Sequence, residues 1–381
     1  MNLFVSLSFT SQEINGGLKF RSLPFCLMIN LSLRYTGLVS RCAVICLLAV
    51  GLTMTSGCNS LFGVKRKVSV PPLLGPLKDA DTAQLIAEIN RISDVRSIRG
   101  KVDIEFQDTS FAETGIAEKY RTAEGNVILQ RPGQVYLTIN GPFAIDIAQM
   151  TSDGEHFRVA VLKGDEKYRR FVRGTNAAVY QKLEVDNEKD GGDKKMSERR
   201  AVSALSNLRP QHLTDALLVR PIEPRTESGF VYAQSEFYQE EPDTNPRAAK
   251  EARVVRGYFL LDELAPGGSA GVRLARRFWF DRVGTIRLAR LQTFDDKGML
   301  VTDVTYGEQQ GFGEDGRTML PVRVELTRPH DRYKLKLTYQ SPESVVINKA
   351  YDPEVFVLQN KWQLPEVDLD ARGKQQTQGK Q

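Results

Sequence analysis

The sequence predicts a mainly β protein built on one long antiparallel sheet with a single apolar face and a few helices over it. Three observations carry that expectation. Segment after segment alternates apolar with polar residues, turn residues separate the segments, and no long crossover helix intervenes. A broad sheet with one dry face must twist and curl, and its concave side needs a cover. With only two helical stretches to supply one, a sheet too broad for its lid leaves an apolar cavity where a lipid fits.

The elements follow in chain order. Residues 43–52 (AVICLLAVGL) are almost wholly apolar and follow Arg34 and Arg41. The run is far shorter than the roughly 20 residues of a membrane-spanning helix, so it reads as the apolar centre of a secretory signal. Counted from Met1 the signal is overlong, whereas Met28 gives a conventional start. Residues 1–57 are therefore expected to be an upstream extension plus a signal peptide.

Thr55-Ser56-Gly57-Cys58 resembles a bacterial lipobox, although Thr55 stands where that pattern prefers Leu. The resemblance implies cleavage before Cys58, with a diacylglycerol on its thiol and an acyl group on its new amine; no other cofactor is expected. The alternative is a buried or disulfide-bonded cysteine. Cys26, Cys42 and Cys46 all precede Cys58 and none follows it, so cleavage leaves no internal partner, as suits an oxidising compartment.

Charge excludes one class of partner. The chain has 52 basic and 47 acidic residues; the expected signal removes four and one, leaving 48 against 46, a net charge of +2. That near-neutral body gives no reason to expect nucleic acid. Lys65-Arg66-Lys67 suits either an anionic membrane surface or an ordinary solvated linker. Residues 70–76 (VPPLLGP) read as an extended tether, so 58–80 form the lipidated start and its linker.

The globular domain is expected over 81–365. It opens with a helix in which Leu85, Ile86, Ile89 and Ile92 recur at helical spacing behind Asp81 as N-cap. Strands follow: Val102, Ile104 and Phe106 alternate with polar neighbours, and GNVILQRPGQVYLTING pairs two runs across a Pro-Gly turn. In the second half VVRGYFLL, VRLARRFWFD, TIRLARLQTFD, LVTDVTYGE, LPVRVELTR and YKLKLTYQ repeat the pattern. Val322, Val324 and Leu326 face one way, as do Leu335 and Leu337. Phe278 and Phe280 share a face opposite Trp279, which suits either a cavity wall or ordinary sheet packing. These ten, from Val102 to Leu337 without Trp279, are the candidate cavity lining.

Two stretches interrupt the sheet. Residues 183–200 are dense in charge and read as a mobile insertion, followed by a helix broken near Pro210. YQEEPDTNPRAAKEAR reads as a polar loop, and 366–381 as a disordered tail.

No catalytic or metal-binding spacing appears, and APGGSAGVRL lacks the ending of a phosphate loop. His156, His212 and His330 are far apart in sequence and are expected to be solvated or capping. The chain is therefore expected not to be an enzyme and to hold no metal.

The opening helix LIAEINRISDVRSIRGKVDI, the hairpin ILQRPGQVYLTI, the turn TSDGEHFRV, the run RFWFDRVGTIRLARLQTFDDKGMLVTDVTYGE and the ending VVINKAYDPEVFVL occur in an order that resembles the LolA/LolB-like superfamily of periplasmic lipoprotein carriers and receptors. The resemblance implies an open, unclosed antiparallel half-barrel with helices over its mouth, enclosing a cavity for acyl chains. It also implies a lipid-anchored envelope protein whose ligands are acyl chains or lipoproteins. Asn59, rather than Asp, after Cys58 leans towards the periplasmic face of the outer membrane. The other reading is a scaffold or sensor that uses the same fold to bind a periplasmic protein, its cavity filled by its own side chains.

Overall fold

The computed structural model describes residues 70–372, apart from 110–117, 120–121, 142–144, 165, 179, 181–182, 184–205, 207, 224–228 and 268–270. Cys58, the signal region and nearly all of the charged insertion lie outside the described residues.

Helix α1 (Thr82–Ser93) begins at Asp81, whose side chain accepts from the Gln84 amide while Gln84 reaches back to the Asp81 amide. Its Leu85, Ile89 and Ile92 are buried at one-turn spacing, as expected. Strand β1 (Ser97–Asp108) then starts a sheet whose first wing is β2 (Glu118–Lys119), β3 (Ala123–Gln130), β4 (Gln134–Asn140), β5 (Asp146–Asp153), β6 (His156–Val161) and β7 (Arg170–Thr175). Gly133 and Gly154, at φ +75° and +105°, turn the β3–β4 and β5–β6 hairpins where a side chain would be strained.

After α2 (Gln211–Leu217) the chain crosses to the far edge and returns towards the centre. The second wing comprises β8 (Val231–Pro242), β9 (Arg253–Pro266), β10 (Val272–Asp281), β11 (Arg287–Phe294), β12 (Leu300–Tyr306), β15 (Arg323–Arg328) and β16 (Tyr333–Tyr339). Strands β13 (Gln309–Phe312) and β14 (Thr318–Pro321) form a separate hairpin between β12 and β15. Strand β17 (Val346–Ile347) pairs with β1, and β18 (Glu366–Asp368) pairs in parallel with β7. Across the sheet the order is β18-β7-β6-β5-β4-β3-β1-β16-β15-β12-β11-β10-β9-β8. Among the described residues edges β18 and β8 do not pair, so the sheet is open, and its other named pairings are antiparallel.

Register explains the core. Ile104 lies opposite Leu337 and Phe106 opposite Leu335; Val324 and Leu326 meet the same two from the other side. Phe278 stands between Leu261 and Leu291, and Phe280 between Phe259 and Leu288. These residues and the inner faces of both helices form one continuous apolar interior. Trp279 points the other way, into a small outer cluster with Tyr258 and Leu260, as its parity predicts.

Three boundaries differ from the sequence reading. The YQEEP part of the expected polar loop belongs to β8, and the connection is 243–252. As an edge strand with much of both faces in water, β8 carries no apolar alternation to announce it. Residues 72–78 also run along the sheet, the Leu74 amide donating to the Val255 carbonyl and the Lys78 amide to that of Arg282, each at 2.8 Å. At the other end, the ordered chain continues past 365: β18 extends the sheet, Leu369 is buried, and Leu358 and Trp362 cover the outer face of β6 and β7 around Phe171.

Candidate functional site

Helices α1 and α2 and the strap that follows α2 (218–222) lie over the sheet, and the strap is latched at several points. Asn90 of α1 donates to the Ile222 carbonyl at 3.0 Å and accepts from the Ile222 amide at 2.8 Å. Arg131, in the β3–β4 turn, donates to the carbonyls of Val95 (3.1 Å), Leu218 (3.2 Å) and Val219 (2.7 Å). These include carbonyls left without a helical partner beyond the end of α2. Tyr306 donates to the Ala216 carbonyl at 3.0 Å, and Arg276 to that of Arg220 at 3.2 Å.

Beneath the strap is a cleft of about 20 Å³, room for about one water molecule. Ile92 of α1, Leu217 and Val219 form its roof; Ile98, Leu288 and Val324 line it from the sheet, and Leu320 and Pro321 from β14. Three polar residues enter this apolar lining: Tyr306, Gln309 and Tyr339. Tyr306 spends its hydroxyl on Ala216. Among the described residues, Gln309 Nε2 and Tyr339 Oη, both buried, have no hydrogen-bond partner. Burial pushes the Tyr306 and Tyr339 hydroxyls up from the ordinary phenol range, so both stay protonated at neutral pH. The cleft can therefore enclose an apolar group and donate hydrogen bonds to an acceptor oxygen.

Of the ten candidate lining residues named from the sequence, Val324 lines this cleft. Val102, Ile104, Phe278, Phe280, Leu326, Leu335 and Leu337 are buried in the same interior away from it, and Phe106 and Val322 are half-buried against that core. Alternation thus identified the inward face, while the cleft is set by residues from α1, the strap and the β13–β14 hairpin. Tyr339 shares parity with Leu335 and Leu337, so its inward position was legible. Asn90, Arg131 and Gln309 carry no such signal, because each acts on a segment distant in sequence.

The histidines divide. His156 and His330 are exposed beside Asp153 and Asp331. His212 departs from the expected solvated or capping role: in α2 it stacks on Tyr333, its Nδ1 2.7 Å from the Tyr333 hydroxyl. Burial, with Arg328 next, pushes its pKa down to about 3, so the imidazole is neutral at physiological pH. Among the described residues no group of His, Cys, Asp and Glu side chains is placed to hold a metal, and no helix is long and apolar enough to cross a membrane.

No family model matches the chain, and no curated protein does. Solved structures similar to it include a DUF1329 family protein from Desulfovibrio piger, at 10% identity and TM-score 0.36, covering 72% of this chain and 95% of that one. A LolA superfamily protein from Nitrosomonas europaea is 11% identical at TM-score 0.34, covering 73% and 99%. A domain described as an outer membrane lipoprotein-sorting protein, from Vibrio parahaemolyticus, is 8% identical at TM-score 0.34, covering 71% and 94%.

Proposed function

We propose that this chain is a bacterial cell-envelope lipoprotein, anchored through acylated Cys58 to the periplasmic face of the outer membrane, whose half-barrel binds acyl chains and receives or transfers lipids or lipoproteins. The observation that carries the reading is the apolar cleft beneath the strap, continuous with the core and roofed by a short segment outside the sheet ladder, whose Leu218, Val219 and Ile222 are buried and whose backbone is latched by side chains of Asn90 and Arg131. Displacing that segment breaks no strand pairing, and an acyl chain that replaces its buried side chains against the interior gains roughly 0.8 kcal/mol per methylene. No covalent chemistry is required of the protein.

A second reading is favoured by the size of the cleft: a filled-core scaffold or sensor that binds a periplasmic protein on its surface. A photoactivatable fatty-acyl probe separates the two. Applied to the lipidated full chain in nanodiscs, it is expected to label peptides containing Leu217, Val324 or Tyr339. Labelling confined to the surface, or none, rejects acyl binding and leaves the scaffold. Mass spectrometry of the same preparation checks the anchor: the amino-terminal peptide must begin at Cys58 and carry the lipid.

A further inference from the structure

Of the three polar residues in the cleft, Tyr306 is paired with the Ala216 carbonyl and the other two present buried donors, and an unpaired buried polar group costs about 1–3 kcal/mol. Tyr339 is 4% exposed and its ring packs edge-on against Phe312, with centroids 5.1 Å apart, while its hydroxyl has no hydrogen-bond partner among the described residues. Gln309 has its amide oxygen engaged by the Arg91 guanidinium at 3.4 Å, and its nitrogen is left without a partner among the described residues. The cleft they line has room for about one oxygen-sized group.

We propose that Tyr339 and Gln309 form the polar end of the ligand site and recognise the neutral carbonyl oxygen of an acyl ester, with its chain laid along the apolar interior. This deepens the acyl-binding reading and rests on it. Two uncharged donors fit an uncharged acceptor. A carboxylate drawn into the same place leaves water for a lining whose other groups are almost all apolar, at a heavy desolvation cost. A hydrocarbon without oxygen leaves both donors unpaired. The site therefore prefers an ester-linked chain over the same chain joined through an ether, which differs mainly by that one carbonyl.

The test uses the full chain in nanodiscs and two photoactivatable probes, a monoacylglycerol and its alkyl-ether counterpart, with the photoreactive group at the chain end. The wild type is expected to reach half-maximal interior labelling with the ester at about five- to tenfold lower concentration than with the ether, the worth of one or two net hydrogen bonds. Tyr339→Phe is expected to abolish most of that preference without lowering Tm, since it removes an unpaired buried hydroxyl. Gln309→Leu is an independent second variant and is expected to narrow the preference too. Equal labelling of the wild type by the two probes, or a preference that survives both substitutions, overturns this assignment and leaves acyl binding standing. Absence of interior labelling by either probe removes the acyl reading itself, and this proposal with it.

Discussion

Arg276 and Glu263 face each other across β10 and β9 as a bidentate ion pair on the inward side of the sheet, with side chains 10% and 5% exposed. Tyr232 donates to the same carboxylate at 3.0 Å, and the guanidinium lies 5.0 Å from the centre of the Phe278 ring. Burial, then Glu263, pushes the Tyr232 hydroxyl up to about 12, which keeps it a donor. The second wing thus ends its apolar interior in an enclosed charge pair that reaches the strap through the Arg220 carbonyl.

Removing one partner strands the other. Glu263→Ala is expected to lose about 3–5 kcal/mol, because a buried guanidinium is left uncompensated. The double variant Arg276→Met with Glu263→Leu is expected to recover most of that loss, since apolar replacement of a whole buried pair is often neutral. Urea unfolding of the two variants and the wild type measures this. A single-variant loss below about 1 kcal/mol, the range of an exposed pair, shows that the pair is not enclosed as described.

Gly125 on β3 leaves no room for a side chain. A Cβ there falls 2.3 Å from the Thr138 carbonyl oxygen on β4 and 2.6 Å from Ile104 Cδ1 on β1. One obstacle is backbone held by the sheet ladder, so it cannot swing away. Gly125→Ala is expected to cost at least the 1–3 kcal/mol or so typical of overpacking, seen as a Tm several degrees lower. An unchanged Tm refutes the close approach of β3 and β4 at this point.

His212 ties stability to pH. Its folded pKa of about 3 lies below the ordinary 6.5, so between those values the unfolded chain binds the proton and the folded one does not. Stability is complete above about pH 6.5 and declines as pH falls towards 3, by at most about 1.4 kcal/mol per unit. Asp153 and Asp331, whose pKa values are lowered, add losses of the same sign only below the usual carboxylate range. Between pH 6.5 and 4.5 the wild type is therefore expected to lose Tm faster than His212→Gln. Parallel Tm curves for the two proteins across that window refute the assignment.

Period-two alternation is a local signal, and it made the inward face legible from Val102 through Leu337. The same rule read more strictly reaches further: Arg276 shares parity with Phe278 and Phe280, so an inward arginine in RRFWFD was visible, though its partner Glu263 was not. Strand β8 was illegible for the opposite reason, because a wet edge needs no apolar face and is recognised only by its ladder with β9. Arg131 and Asn90 contact the strap 87 and 132 residues away along the chain, a relationship that spacing and composition do not encode. The cleft depends on those long-range latches, so its place was hidden while its walls were not.

Arg282 fastens the start of the domain to the open edge. Its side chain is 5% exposed and reaches Asp79 and Glu236, each at 2.7 Å, and the Lys78 carbonyl at 3.0 Å, and it lies 4.1 Å from the centre of the Phe259 ring. Asp79 and Glu236 are well exposed, so neither carboxylate alone contributes much; the shared guanidinium and its packing on Phe259 are what join the three segments. With that hub gone, residues 72–78 keep only a few backbone hydrogen bonds to β9 and to the turn after β10, too few to resist local opening. Arg282→Ala is expected to speed hydrogen exchange at the amides of Leu74 and Lys78 by about tenfold, equivalent to 1.4 kcal/mol of local opening. Amides within the β9–β10 ladder around Leu261 and Phe278 are expected to exchange at their former rate. If the two sets of amides accelerate together, Arg282 supports the whole sheet rather than fastening its first segment; if neither changes, the segment is held by its backbone pairing alone.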